Sequence, residues 1–334
     1  MHSRDPLGRV ASPCAIAAVV STYNRSDLLR PMLESLTRQT VPTSEFEVII
    51  VDDGSTDDTR NVVTSFTKTL PITYAYQRNA GLASARTHGL YLSAAPILLF
   101  LDDDDLAHPE LLKQHLATHR QYPDDKYAVL GYTPLAPDIA DDPLMHFVTE
   151  VGCFLFSYSY FKDGDVLDFE HWWGGRSSCK RAFLIEHGVF NPVFKFGCED
   201  IELAWRLSKH EFRVVYNARA ITTMSRRIDF DGFCNRLVRQ GRSNFVFSRL
   251  HREPEVQRWT EVDRFEEQWR KIEPTYDAIL HSARHLDRIA RLKRDLGFAL
   301  EESETALLHR AYFAAFRAAK LRGISDGWTQ FAGT

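Results

Sequence analysis

Residues 96–105 read Pro-Ile-Leu-Leu-Phe-Leu-Asp-Asp-Asp-Asp, an unbroken apolar run that ends on four carboxylates. An apolar run with no polar alternation predicts a strand covered on both faces, as in a parallel sheet. The same grammar recurs upstream. Residues 14–20 (CAIAAVV) run into Ser21-Thr22-Tyr23-Asn24-Arg25, and residues 46–51 (FEVIIV) run into Asp52-Asp53-Gly54-Ser55. Ile72–Tyr76 and Tyr127–Tyr132 read as two further strands. Helices are expected between them: Ser26–Gln39 with Ser26 as cap, Thr56–Thr69 with Asp57 and Asp58 in its first turn, Gly81–Ser93, and Pro109–Tyr122. Strands alternating with helices define an α/β protein with a doubly wound, Rossmann-like sheet.

Beyond Tyr132 the alternation stops. Thr133–Ser178 holds three prolines and an aromatic stretch, and Phe154–Phe161 (FLFSYSYF) reads as core or strand ahead of an acceptor platform. Helical patterns return at Lys180–His187 and Glu199–His210, with a strand at Arg213–Tyr216. From about Glu255 the chain reads as helical and charged. Leu296, Leu300, Leu307 and Leu308 suggest one stripe of that extension, a surface for packing or for a homo-oligomer.

The 334 residues are 44% hydrophobic and 26% charged, enough for a sizeable core, and the net charge of -4 gives no case for a nucleic-acid binder. A basic stretch from Arg206 to Arg249 stands apart from that average and reads either as a solvated face or as a contact for something anionic. Five cysteines without a CxxC pair indicate neither a disulfide framework nor a zinc site, and thirteen histidines show no HExxH spacing. Met1–Ala11 lacks an apolar signal core and no run of about 20 apolar residues occurs. The expectation is a cytoplasmic protein, with peripheral membrane association left open.

The chemistry gathers where the strands end. Open α/β sheets bind ligands outside the carboxyl ends of their strands. Thr22, the Asp52-Asp53 pair and the Asp102–Asp105 run should therefore converge on one rim. Adjacent carboxylates repel by about 3 kcal/mol per pair at ~5 Å and an effective dielectric of ~20. A hard divalent cation, Mn2+ or Mg2+, would offset that repulsion and would imply a phosphate-bearing ligand. The other readings are an acidic cap before the Pro109 helix and, for Asp-Asp-Gly-Ser, an ordinary turn.

The combination of VVSTYNRSDLLRPMLESL (19–36), FEVIIVDDGSTDDT (46–59), RNAGLASARTHGL (78–90), ILLFLDDDD (97–105) and GCEDIELAWRL (197–207) resembles the inverting family-two glycosyltransferases of the GT-A fold. The resemblance implies a mixed sheet with a helical C-terminal extension. It divides the chain into a tail (1–13), a nucleotide-sugar-binding half (14–130), an acceptor and catalytic-base half (131–250) and an extension (251–334). It implies transfer of a sugar from a nucleoside diphosphate, UDP first among the candidates, to a saccharide, glycolipid or other hydroxyl acceptor. Thr22, Tyr23 and Arg25 would lie by the nucleobase, with Asp52 or Asp53 hydrogen-bonded to it. Asn79, Gly81 and Arg86 would flank the ribose and diphosphate. Asp102 and Asp104 match the family's Asp-x-Asp element, Asp104 as metal ligand and Asp102 on the metal, ribose or sugar; Asp103 and Asp105 offer a shifted register. Asp200 would be the base that takes the acceptor proton, with Glu199 beside it, although both acids also suit the start of a helix. Trp172, Trp173, Gly174 and Gly175 would shape the sugar and acceptor pocket, the tryptophans reading equally as core. Many relatives carry a histidine after the strand at Arg213–Tyr216, where this chain has Arg226 and Arg227, which would face the diphosphate instead. A nucleotidyltransferase on a related sheet is the alternative; it calls for a glycine-rich basic loop where this chain has Ser21–Arg25. A non-catalytic binder is the third reading.

Overall fold

The computed structural model describes residues 14–331; the tail expected over 1–13 lies outside them. The sheet runs β3-β2-β1-β4-β8-β6-β9-β5, with β7 paired to β9. Its strands are β1 (Ile16–Thr22), β2 (Phe46–Asp52), β3 (Ile72–Tyr76), β4 (Ile97–Asp102), β5 (Asp105–Ala107), β6 (Tyr127–Tyr132), β7 (Val166–Leu167), β8 (Arg176–Lys180) and β9 (Arg213–Met224). The first four are parallel, and β8 then enters antiparallel against β4. The sheet is therefore mixed, as a GT-A fold requires.

The apolar runs behave as doubly covered strands: every residue from Ile16 to Val20 is buried, as is Leu98–Leu101. Helices α1 (Ser26–Leu36), α2 (Thr59–Phe66), α3 (Leu82–Leu92) and α4 (Leu111–Gln121) supply the covering layers. In α1 the buried Leu29, Met32, Leu33 and Leu36 repeat at three- and four-residue steps, one stripe of a helix. Two expected caps are corrected. Ser26 does not cap α1: Arg25 precedes the helix, and the Ser26 N–H donates to Asp57 at 2.9 Å. Asp57 and Asp58 precede α2 rather than sit in it, because Asp57 accepts from the Thr59 N–H and hydroxyl and so stops the chain from coiling earlier.

Strand order reverses between β1 and β4, where Ser21 pairs with Asp102 while Thr22 pairs with Asp52 on the other side. The three acidic or polar strand ends thus share one level of the sheet at its switch point. Two elements carry chemistry beside it: α7 (Arg181–His187) follows β8, and α8 (Glu199–Ser208) begins at the Glu-Asp pair. Of the two readings of Phe154–Phe161, the strand is corrected, since none forms there, while the core reading holds at Phe156, which is buried, and not at Tyr160, which is exposed.

Compact units of the fold are discontinuous in the chain. One runs to Ala136 and takes in Tyr160–Lys195 and Glu199–Arg226; the other is Pro137–Ser159, Phe196–Cys198 and Arg227 onward. The second is helical: α5 (Pro137–Ala140), α6 (Pro143–His146), α9 (Phe230–Leu250), α10 (Pro254–Thr260), α11 (Phe265–Ile272), α12 (Tyr276–Asp295) and α13 (Glu302–Phe331). Helix α9 was not expected from sequence, where the helical signal was placed after Glu255. Its Gly241 and the facing Gly323 let α9 and α13 touch backbone to backbone, since a β-carbon at Gly323 would fall 2.0 Å from the Val238 carbonyl. The leucine stripe is corrected too: Gly297 takes φ +78 in the turn between α12 and α13, leaving Leu296 and Leu307 exposed. No helix among the described residues is long and apolar enough to cross a membrane.

Candidate functional site

The parallel strands deliver their terminal carboxylates to one place, and what meets them there is arginine. Asp102 at the end of β4 accepts from Arg86 Nη2 at 3.2 Å and from Arg176 Nη2 at 3.3 Å. Asp103 accepts from Arg25 Nη1 and from the Thr22 hydroxyl, both at 2.8 Å. Asp104 takes Arg226 Nε on Oδ2 at 2.5 Å, with Arg25 at 3.6 Å from the same oxygen. Asp105 faces Arg176 at 3.4 Å and the Thr222 hydroxyl at 3.3 Å. Repulsion within the run is thus offset by guanidinium groups from distant parts of the chain. The offset that the sequence argument assigns to a divalent cation is thus supplied in part by the protein's own arginines.

Burial sorts the four. Asp105 is sealed inside; loss of solvent drives its carboxyl pKa upward against the pull of Arg176. Asp103 is also buried, and desolvation raises it in the same way, opposed by Arg25. Asp102 alone keeps a third of its side chain open, at 34%. The shifted register through Asp103 and Asp105 therefore offers buried, internally bonded oxygens. The register through Asp102 and Asp104 offers one part-exposed carboxylate and a buried one, Asp104, whose Oδ2 both neighbouring arginines address. Among the described residues no group of three or more His, Cys, Asp or Glu side chains is disposed to hold a metal ion. Mg2+-type sites commonly use one or two carboxylates and leave the remaining positions to phosphates and water. On donor chemistry, Asp102 and Asp104 fit such an ion.

Asp52 and Asp53 are committed inward. Asp52 accepts from the Ser55 N–H and the Tyr74 hydroxyl, both at 2.7 Å. Asp53 accepts from Gln77 Nε2 and from the Ala80 and Gly81 N–H groups. It thereby folds the Asn79–Gly81 loop, in which Gly81 takes φ +94, a conformation reserved for glycine. Asn79 and Tyr23 are exposed above this rim.

The second wall comes from the Gly174-Gly175 segment and the start of α8. Asp200 accepts from the Gly174 N–H at 3.0 Å on Oδ2 and from the Ile201 N–H at 2.8 Å on Oδ1. Glu199 is buried and bonded to Arg86 Nη1 at 2.9 Å; burial, then the neighbouring Asp200, raises its pKa. Gly175 lies on Asp102 so closely that a β-carbon would stand 2.0 Å from Oδ2. One expectation needs correction. Trp172 is wholly buried, stacked on Phe190 and edge-on to Phe100 and Phe212, so it is core rather than pocket lining. Trp173 is only partly buried, its indole N–H donating to the Glu170 carbonyl. Arg86 is buried between Glu199 and Asp102. Arg227 turns to Asp142 and the Asp138 carbonyl, leaving Arg226 as the one of the pair beside the run.

Sequence reasoning takes Arg176 only as part of the Trp172–Ser178 segment and misses its strand and its carboxylate partners, because nothing in Arg-Ser-Ser-Cys-Lys reads as a strand. It also passed over His115 and His119, four residues apart on α4, whose ring nitrogens each lie 2.8 Å from the Ser178 hydroxyl. The basic stretch is largely consumed internally: Arg206 pairs with Glu202, Arg242 with Asp326, and Arg239 lies over the Phe196 ring.

A mixed sheet with acidic strand ends at the switch point and a helix opening on Glu-Asp defines a GT-A glycosyltransferase fold. Residues 17–163 match the family described as Glycosyl transferase family 2. Validoxylamine A glucosyltransferase of Streptomyces hygroscopicus subsp. jinggangensis is 35% identical over 221 residues, 58% of this chain and 51% of that protein. The poly(ribitol-phosphate) beta-N-acetylglucosaminyltransferase TarS of Staphylococcus aureus is 33% identical over 103 residues, 30% of this chain and 18% of TarS. The crystal structure of TarS residues 1–349 superposes with a TM-score of 0.54 at 16% identity, covering 94% of this chain and 91% of that one. A mannosyltransferase of Pyrobaculum calidifontis, solved with GDP-Man and Mn2+, gives 0.57 at 18% identity, covering 98% and 90%. Residues 17–163 thus carry a match to the family-two glycosyltransferases, and the chain has the GT-A fold of the solved structures it superposes on. It spans about half the length of the validoxylamine enzyme it matches.

Proposed function

We propose that the protein transfers a sugar from a nucleoside diphosphate sugar to an acceptor hydroxyl with inversion at the anomeric carbon. The observation that carries this reading is the placement of Asp200. Two backbone N–H groups fix its carboxylate, and Gly174 separates it from the Arg86–Asp102 pair by a single backbone thickness. A base for the acceptor and an acidic strand end for the donor thus stand next to each other, as displacement from the opposite face requires.

In that reaction the acceptor oxygen forms a bond to the anomeric carbon as the bond to the diphosphate breaks. The acceptor proton passes to Asp200, and the electron pair leaves with the diphosphate. Positioned proton transfer of this kind contributes ~10²–10⁴ in rate. Arg25 and Arg226 are partly exposed and supply positive charge on the side where negative charge grows. A divalent cation on Asp102 and Asp104, Mn2+ or Mg2+, would neutralise the same departing diphosphate. UDP is the nucleotide we assign, because TarS was solved with UDP and with UDP-GlcNAc. The acceptor class is a saccharide or glycolipid hydroxyl.

Asp200→Asn keeps the size of the side chain and, through its one amide oxygen, one of the two backbone contacts, while removing the base. Transfer should fall by about 10²–10⁴-fold, with the Kd for UDP, read by calorimetry with Mn2+, within threefold of the parent. Full transfer activity in this variant would remove Asp200 from its role.

A further inference from the structure

Arg86 and Glu199 are both nearly sealed from solvent, yet each is charged chemistry placed within one residue or one bond of the site. The Arg86 fork does not grip one carboxylate in the usual bidentate way. Its Nη1 lies 2.9 Å from Glu199 Oε1, at the start of α8, and its Nη2 lies 3.2 Å from Asp102 Oδ1, at the end of β4. The second Glu199 oxygen, Oε2, is buried without a hydrogen-bond partner among the described residues. A buried carboxylate with a single strong partner is costly and depends on that partner.

The backbone is shaped around the same fork. A β-carbon at Gly174 would come within 2.4 Å of Arg86 Nη1 and 3.1 Å of the Asp200 Cβ. The Gly174 N–H holds Asp200 Oδ2 at 3.0 Å, and the next carbonyl, that of Gly175, accepts from the Asp102 N–H at 3.1 Å. One guanidinium therefore touches the strand end, the helix start and the strap that links them.

The geometry points to Arg86 and Glu199 acting together as a positioning pair that sets the separation between Asp102, on the donor side, and Asp200, on the acceptor side. Neither residue reaches the reacting atoms. Arg86 fixes Asp102 through one nitrogen and, through Glu199, the first turn of α8 from which Asp200 projects. The inference rests on the assignment of Asp200 as base, and its test is arranged so that the two can fail separately.

Steady-state transfer kinetics, UDP binding by calorimetry and thermal unfolding are measured for Glu199→Gln, Arg86→Gln, the double variant and Glu199→Asp. A pair that positions other groups should lose kcat by about 10–100-fold when either member goes, since a displacement of ~1 Å can cost that much. The UDP Kd and the acceptor KM should stay within threefold. The double variant should be no slower than the slower single variant, because both remove one link. Glu199→Asp keeps the charge but shortens the reach, and it should stay slow while melting close to the parent. Should Arg86→Gln fail to fold, the two Glu199 variants carry the test.

Three results would overturn the pair: losses that multiply in the double variant, a loss confined to UDP affinity, or full kcat in Glu199→Gln or Glu199→Asp. An active Asp200→Asn beside slow, non-additive Arg86 and Glu199 variants would instead sink the base assignment and leave the pair standing.

Discussion

At the scale of single residues, the site is an exercise in charge balance. Each aspartate from Asp102 to Asp105 lies within reach of a guanidinium, drawn from Arg25, Arg86, Arg176 and Arg226. The acids were legible in the sequence because they are adjacent. Arg25, Arg86 and Arg226 enter from the resemblance as ligand contacts, but their pairing with the acids, and Arg176 on β8, depend on contacts that only the fold assembles. Reading the run alone thus leaves out the arginines that share the offset with any cation. Gly175 exposes how little slack the arrangement has. Its φ is not in the left-handed region, so the requirement for glycine is one of space: a methyl group would overlap the Asp102 carboxylate at 2.0 Å. Gly175→Ala must therefore displace Asp102 from Arg86 and Arg176. Overpacking of this kind costs about 1–3 kcal/mol of stability, and the shifted carboxylate should slow transfer by about 10–100-fold. Urea unfolding and initial rates on the same preparation check both numbers. An alanine variant with unchanged rates would mean that the position of Asp102 does not govern turnover.

At the scale of elements, the strands written as apolar runs were legible and the polar one was not. β1 to β4 follow from continuous burial on both faces, and Ile72–Tyr76 emerged with the bounds expected of it. β8 is Arg-Ser-Ser-Cys-Lys with all five residues buried, a strand that no hydrophobic periodicity announces. Two of its polar side chains have specific partners: Ser178 in His115 and His119, Lys180 in the carbonyls of Tyr122 and Asp124. This pairing makes α4 and β8 sensitive to acid. Burial pushes His115 down to about 3, and burial followed by Lys180 and His115 pushes His119 well below its ordinary range. In the unfolded chain both histidines take up protons near 6.5, whereas in the folded chain they stay neutral. Falling pH therefore favours the unfolded state below about 6.5, by up to ~1.4 kcal/mol per pH unit for each histidine. The buried acids Asp103, Asp105 and Glu199 are raised, so they work in the opposite direction, gaining protons in the fold before the unfolded chain does. Separating the two effects needs a variant: His115→Leu/His119→Leu should flatten the loss of urea stability between pH 6.5 and 5. A parent and variant with parallel pH profiles would show that the histidines titrate freely.

At the scale of the whole molecule, the chain's two compact units carry unequal burdens. Every side chain assigned to the site, from Thr22 through Asp200 to Arg226, belongs to the unit that contains the sheet, while Arg227 begins the last stretch of the helical unit. A ligand that binds only the folded site stabilises the unit that carries it. At a UDP concentration a hundredfold above Kd the gain is about 2.7 kcal/mol, or roughly 5–10 °C in the midpoint of a unit of that size. Scanning calorimetry with UDP and Mn2+ should move the transition of the α/β unit upward by that amount. Any separate transition of the helical unit should stay in place. Chelating the cation should shrink the shift if Asp102 and Asp104 share a metal with the diphosphate. Asp102→Asn should shrink it also, without lowering the midpoint of the unliganded protein as far as Gly175→Ala does, because the asparagine fits the space under the strap. Absence of any shift with UDP, GDP or TDP in the presence of Mn2+ or Mg2+ would leave the sheet's switch point without a nucleotide to bind, and the assignment of donor chemistry to this rim would fall with it.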